Sequence, residues 1–428
     1  MTSVEIIPLV GLVVMFVIAT VFSINIGFLG FVGSFLAGAF LLGWDDKEIL
    51  KAFPSSIVLT IVGVTFFFGM AKRNGTIDLL VNACVRAVRG RVSLIPWVLF
   101  VVASFLTALG TFSPAAVALV SSAAMSFAAR ARMSPLVMGI MTINGAHAGA
   151  FSPISVSGVL VRGIVEDAGM TIDPWYLFFA SYGINTLLSV LTVAVYGIAS
   201  RVRPLEYTAT GTVRTVLPGA VPIAQKVEVT PVRVLTLALT GAILVLVLVF
   251  HLPISFIALA AGVVLAFTDL QGHSRSIADI SWSTVLLVAG MITYISILEE
   301  LGVIDDLADA ALLIGAPLVV ALVLCYVIGV ASAFASSTAL LAAIVPLSLP
   351  LLETGHLSVV GVVAALSIAA TVVDVSPFST NGALILANAQ EVDRTDFYRQ
   401  LLFNALIVVA VAPGITWAAL VLVPSVFA

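Results

Sequence analysis

Four short stretches of this 428-residue sequence gather hydroxyl and amide side chains inside otherwise apolar surroundings. They hold Thr111 and Ser113; Ser152, Ser155 and Ser157; Ser332, Ser336, Ser337 and Thr338; and Ser376, Ser379, Thr380 and Asn381. Gly110, Pro114, Pro153 and Pro377 stand within them, residues that interrupt a helix. A broken backbone exposes N–H and C=O groups that lipid cannot satisfy, so such breaks persist only inside protein or around a polar ligand. A helix restarting beyond a break offers free N–H groups and a partial positive charge, which suits a carboxylate. Carbonyls and hydroxyls on the other side suit a small hard cation such as sodium.

Two ionisable residues lie beside the breaks. His147 follows Asn144 by three residues and precedes Ser152-Pro153; Asp374 stands two residues before Ser376-Pro377. Charge at such depth is costly, which makes both functional candidates. His147 reads either as a ligand contact or as a neutral imidazole bonded to a neighbouring helix. Asp374 reads as a sodium ligand, a proton carrier or a cap on the following helix. The nearest arginine, Arg162, falls at the outer end of its helix. A bound anion would thus be met by backbone dipoles, hydroxyls and co-bound cations, which favours cation symport of a dianion. The expected substrate-binding residues are Thr111, Ser113, Asn144, His147, Ser152, Ser155, Ser337, Thr338, Ser376, Ser379, Thr380 and Asn381.

The elements that must position these residues are membrane helices. The chain is 61% hydrophobic and 9% charged, against about a quarter charged in a soluble domain. Long apolar runs with short polar interruptions fill nearly the whole length, the pattern of a multi-span protein. That leaves no room for a soluble domain, and no nucleic-acid partner is expected. Cys84 and Cys325 lie in or beside apolar segments without metal-ligand spacing and read as small buried hydrophobes. Met1 to Glu5 holds an acid and no basic residue, against a cleaved signal peptide. Without HExxH, paired aspartates or GxSG in a span, no enzyme is expected.

The runs predict helices near Ile6–Phe22, Ile26–Leu42 and Ile57–Ala71, then a basic amphipathic stretch over Asp78 to Arg91 along the interface. Leu94–Leu109 and Ala115–Ala129 form a first split pair. Met138–Ala150 and Ile154–Ile164 form a broken run, and Trp175–Ala199 a long helix. After a polar linker the order recurs: Val234–Val249, Ile254–Phe267, Thr284–Ile297, the pair Ala316–Ala331 and Thr338–Leu351, the broken run Val359–Val373 and Ala383–Ala389, and Leu402–Val423. If each split pair returns to its own side as a re-entrant hairpin, all of the 18 basic residues except Lys47, Lys51 and Arg162 share one face. By the positive-inside rule that face is cytoplasmic. This gives ten crossings, a cytoplasmic linker and both termini extracytoplasmic.

Internal matches support a duplication. Gly75-Thr76-Ile77-Asp78-Leu79-Leu80 pairs with Gly302-Val303-Ile304-Asp305-Asp306-Leu307, Ser152–Gly158 with Ser376–Gly382 as S-P-x-S-x-x-G, and Phe112 with Phe334. The offsets are 227, 224 and 222 residues. Five crossings per copy is an odd number, so the copies must sit upside down relative to each other. The expected fold is an all-α polytopic membrane protein of two inverted repeats, 1–200 and 233–428, each of five transmembrane helices plus a re-entrant hairpin, joined by a cytoplasmic linker, 201–232. Paired interrupted helices in inverted repeats are the signature of a secondary transporter with its site near the bilayer midplane.

At the breaks the chain resembles the divalent anion/sodium symporter family, most closely its malonate-carrier type of dicarboxylate permease, over nearly its whole length. In that family each hairpin tip carries Ser-Asn-Thr and each unwound helix a T-P or S-P turn. Ser336-Ser337-Thr338 looks like the second tip with Ser in place of Asn, and Ser332 falls at a hydroxyl ligand four residues earlier. Ser376-Pro377 fits the second unwound turn. The first tip departs: Ser113-Pro114-Ala115 stands where Ser-Asn-Thr is expected and Leu109 at the earlier ligand position, which shifts the ligands of a first sodium site to Thr111 and backbone carbonyls. The family's extra N-terminal helix has no counterpart. The resemblance implies sodium as coupling ion at Thr111, Ser113, Ser332, Ser336, Ser337 and Asp374, and no other cofactor. It further implies a small dicarboxylate such as malonate, succinate or malate as substrate, an elevator motion, a homodimer, and a bacterial inner membrane with its lipid as surroundings. The membrane subunit of a binding-protein-dependent (TRAP-type) carrier shares this length, hairpins and repeat. A proton-coupled organic-anion carrier is the other alternative.

Overall fold

The computed structural model describes residues 3–22, 24–77, 79–80, 83, 94–131, 133–202, 228–250, 252–270, 273–303, 306, 317–333, 337–353, 357–389 and 392–427. Every regular element among them is a helix. Most of the basic stretch expected over Asp78 to Arg91 and most of the 201–232 linker lie outside the described residues, as do Ser336 and Phe334.

In chain order the helices are α1 (Ser3–Phe22), α2 (Ile26–Ala37, prolonged by a π-helical turn Gly38–Leu42), α3 (Asp46–Lys51), α4 (Ser55–Arg73), α5 (Ile95–Ala108), α6 (Ser113–Ala131), α7 (Pro135–Gly149), α8 (Val156–Asp167) and α9 (Pro174–Val202). The second half continues with α10 (Pro231–Leu248), α11 (Ile254–Ala266), α12 (His273–Ala278), α13 (Trp282–Glu300), α14 (Pro317–Ser332), α15 (Ser337–Glu353), α16 (Val359–Val372), α17 (Thr380–Asn388) and α18 (Arg394–Trp417). Every apolar run expected to be helical is a helix. The short α3 and α12 were not expected. The start of α3 is set by a capping box: Asp45 Oδ1 accepts from Glu48 N at 2.8 Å, and Glu48 Oε2 accepts from Asp45 N at 3.0 Å.

Packing follows the order of the elements. α2 lies on α13 and α4 on α11, while α6 packs on α17 and α15 on α8. Where α2 meets α13 the backbones touch. A Cβ on Gly27 would stand 2.0 Å from Leu286 O, and one on Gly290 1.9 Å from Gly27 O, so only glycine fits at either position. At one end of the bundle Asn25 Nδ2 donates to Ser283 O at 2.8 Å, and Arg73 pairs with Asp279 at 2.6 Å. At the other end Tyr294 donates to Pro8 O at 2.7 Å, and Trp417 Nε1 to Leu318 O at 2.8 Å.

Burial separates the helices into two kinds. α7 and α16, which lead into the breaks, are buried on every face, as helices apolar all round must be. The outer helices show apolar side chains instead. Val10, Val13, Val17 and Val21 are exposed on α1, Val319, Val323, Val327 and Val330 on α14, and Phe403, Leu406 and Ile407 on α18. Apolar surface of this extent belongs against lipid. Among the described residues four helices are long and apolar enough to cross a membrane, Ser55–Arg73, Pro174–Tyr196, Trp282–Glu300 and Arg394–Val426, accompanied by shorter apolar helices of 10–17 residues. This is a multi-pass membrane protein.

Candidate functional site

Each break is a short turn built from its own side chains. At Pro153 and Pro377 the missing N–H and the ring end helical bonding. Ser155 and Ser379 then take extended backbone and cap the next helix: Ser155 Oγ accepts from Gly158 N at 3.2 Å, and Ser379 Oγ from Gly382 N at 3.3 Å. The same hydroxyls donate backwards, to Ser152 O at 2.8 Å and to Ser376 O at 2.7 Å. The carbonyl so placed crowds the final glycine. A Cβ would lie 2.1 Å from Ser152 O at Gly158 and 1.9 Å from Ser376 O at Gly382. The spacing S-P-x-S-x-x-G thus encodes one turn, used twice.

Five of the expected residues converge between the breaks and the hairpin tips. Asp374 is the hub. Its Oδ2 accepts from Asn381 Nδ2 at 2.9 Å and from Ser337 Oγ at 3.4 Å, and its Oδ1 from the Asn381 backbone N–H at 3.4 Å. The carboxylate therefore sits on the N-terminus of α17, where free N–H groups favour negative charge. Asn381 Nδ2 also lies 3.3 Å from Ser113 Oγ at the start of α6 and 3.0 Å from His147 Nε2 at the end of α7. His147 Nε2 is 3.7 Å from Asp374 Oδ2. His147, Asp374 and Asn381 are buried. Three buried polar atoms here have no hydrogen-bond partner among the described residues: Thr111 Oγ1, His147 Nδ1 and Asn381 Oδ1. Unpaired buried groups of this kind are rare and call for a ligand or a strain account.

Other expected residues face elsewhere. Asn144 Nδ2 donates to Ser189 Oγ at 3.1 Å, toward α9 and away from the cluster. The Ser152 hydroxyl donates to Ala108 O at the end of α5, and the Ser332 hydroxyl to Ala370 O on α16. These two bonds fasten each hairpin to the broken helix of its own half. Ser376 Oγ accepts from Phe378 N at 3.2 Å inside its own turn. Thr338 is buried near the start of α15, and Thr380 is exposed. Arg162 pairs with Glu166 at 3.4 Å. Among the described residues no three His, Cys, Asp or Glu side chains group as a metal centre.

One contributor went unread in the sequence. Ser181, Asn185 and Ser189 on α9 are fully buried and recur every four residues, making one polar stripe toward α7. Ser181 Oγ donates to His147 O at 2.9 Å, and Ser189 receives Asn144. Polar residues at i, i+4 and i+8 in an otherwise apolar helix are the signal that would have found it.

Comparison with known proteins bears on the fold and on the first part of the chain. Among solved structures the fold is similar to the YdaH transporter of Alcanivorax borkumensis, with a TM-score of 0.60 and 14% identity over 87% of this chain and 86% of that one. The likeness is one of fold. Residues 1–150 match the family model of the dicarboxylate carrier protein MatC N-terminus. No curated protein matches the chain in sequence.

Proposed function

We propose that this chain is a secondary active transporter of small dicarboxylates, C3 or C4 diacids such as malonate, succinate and malate, driven by sodium symport. The observation that carries the reading is the meeting of Ser113, His147, Ser337, Asp374 and Asn381, drawn from both halves of the chain, around buried unpaired donors and acceptors. Among the described residues no lysine or arginine takes part in that network. Two unit charges about 6 Å apart at an effective dielectric near 20 repel by about 3 kcal/mol. A dianion beside the Asp374 carboxylate therefore needs a cation between them. Asp374 and Ser337 offer oxygen ligands of the kind sodium prefers, and the Ser113 hydroxyl reaches the same network through Asn381. A proton-coupled second reading draws on the 3.7 Å approach of His147 to Asp374.

The two halves act as inverted repeats in this reading, with the hairpins α5–α6 and α14–α15 re-entrant. Its support is reciprocal packing, α2 on α13 against α4 on α11, and α6 on α17 against α15 on α8. The contacts at the bundle ends fit the charge-derived orientation, with linker and basic loops cytoplasmic and both termini outside. Transport would proceed by an elevator motion of hairpins and broken helices against a dimeric scaffold.

The test is uptake by the purified chain alone in proteoliposomes, offered labelled diacids with sodium and pH gradients imposed separately. Accumulation under an inward sodium gradient is the expected result. Accumulation under a proton gradient alone assigns the proton-coupled reading. Uptake only with an added soluble binding protein assigns a TRAP-type subunit and overturns the proposal.

A further inference from the structure

Resting on the transport reading, we infer that His147 is a specificity-determining contact: its ring presents Nδ1–H to one carboxylate of the carried diacid, with its tautomer set by Asn381. The Asn381 carboxamide is oriented by Asp374. Its NH2 lies 2.9 Å from Asp374 Oδ2, a carboxylate oxygen that only accepts. That same NH2 faces His147 Nε2 at 3.0 Å. Two donors do not face each other, so Nε2 accepts here and the ring proton resides on Nδ1. Nδ1 is buried and meets no acceptor among the described residues. Its backbone is held in place, since His147 O accepts from Ser181 Oγ at 2.9 Å on the buried stripe of α9. A fixed, buried N–H without a partner is suited to an anionic oxygen, and among the described residues no guanidinium or ammonium joins the network in its place. Thr111 Oγ1, at the break before α6, is likewise buried without a hydrogen-bond partner among the described residues.

The chemistry of the two ring nitrogens makes the inference testable. An asparagine amide nitrogen falls near the position of Nδ1, and a glutamine amide near that of Nε2. If Nδ1 serves the substrate, His147→Gln raises KM for the diacid about tenfold to a hundredfold, the range for a hydrogen bond to a charged group. His147→Asn then raises it at least tenfold less than Gln does. If His147 only braces Asn381 through Nε2, the order reverses, and a reversed or equal order overturns the inference. Should the Gln variant fail to yield folded protein, His147→Asn is compared with His147→Ala. Asparagine no better than alanine overturns the inference, and a tenfold advantage supports it. Wild-type uptake is measured first: if it carries no diacid, the transport reading itself has failed, whereas uptake with the wrong order fails only the role of His147.

Discussion

The two broken segments, 150–158 and 374–382, share a backbone and differ in chemistry. Both turn through the same serine hydroxyl, capping at 3.2 and 3.3 Å and closing at 2.8 and 2.7 Å. Both end on a glycine pressed against a serine carbonyl. The helices that feed them even start alike, on Ser134 and Ser358 caps. Yet Ala150 stands where the second segment has Asp374, Ser157 where it has Asn381, and His147 where it has Thr371. The first segment is buried throughout, while Phe378 and Thr380 in the second are exposed. The turn is thus a scaffold common to both segments, and the carboxylate hub belongs to the second alone. The first half contributes the His147 imidazole and the Ser113 hydroxyl.

The sharpest way to break this contrast is to remove the hub. Asp374→Asn should lower sodium-driven uptake about a hundredfold, the scale of lost hydrogen bonds to a charged group, and should change its dependence on sodium or pH. Unchanged ion profiles would show that the acid is only a helix cap. Gly158→Ala and Gly382→Ala attack what the segments share. Each forces a methyl onto a carbonyl and should cost about 1–3 kcal/mol, read as a lowered melting temperature in detergent. An effect in one segment alone would deny that the turns are equivalent.

Smaller changes refine the comparison. Ser337→Ala removes a donor to Asp374 and should raise the sodium concentration for half-maximal uptake about tenfold, far beyond any loss of expression. Ser113→Ala touches Asn381 instead and should act on the diacid KM more than on sodium. Equal losses of expression and uptake would mean folding alone is affected. Ser155→Ala and Ser379→Ala delete the matched caps and should each cost about 1 kcal/mol, with near-identical thermal shifts.

Most of the helices were legible because apolar runs of membrane length are a strong signal. The breaks were legible because proline, glycine and serine act locally. His147 and Asp374 stood out as ionisable residues in apolar runs. What could not be read was the direction each hydroxyl takes. Ser152 and Ser332 bond to carbonyls 44 and 38 residues away, a choice made by packing between helices and not by spacing. Asn144 turned to α9 for the same reason, and the α9 stripe was hidden by the dominance of apolar residues around it. The helices α3 and α12, of 6 residues each, are too short to show a period.

The central claim is that one polar hub, assembled from both halves, binds a diacid and its coupling cation together. Linkage makes this directly measurable, because two ligands that favour each other must do so reciprocally. Diacid affinity is titrated on purified protein at low and high sodium, and sodium affinity at low and high diacid. Tightening of each by the same factor in the wild type, and its loss in Asp374→Asn, is the predicted result. Diacid affinity that ignores sodium and protons alike would contradict it.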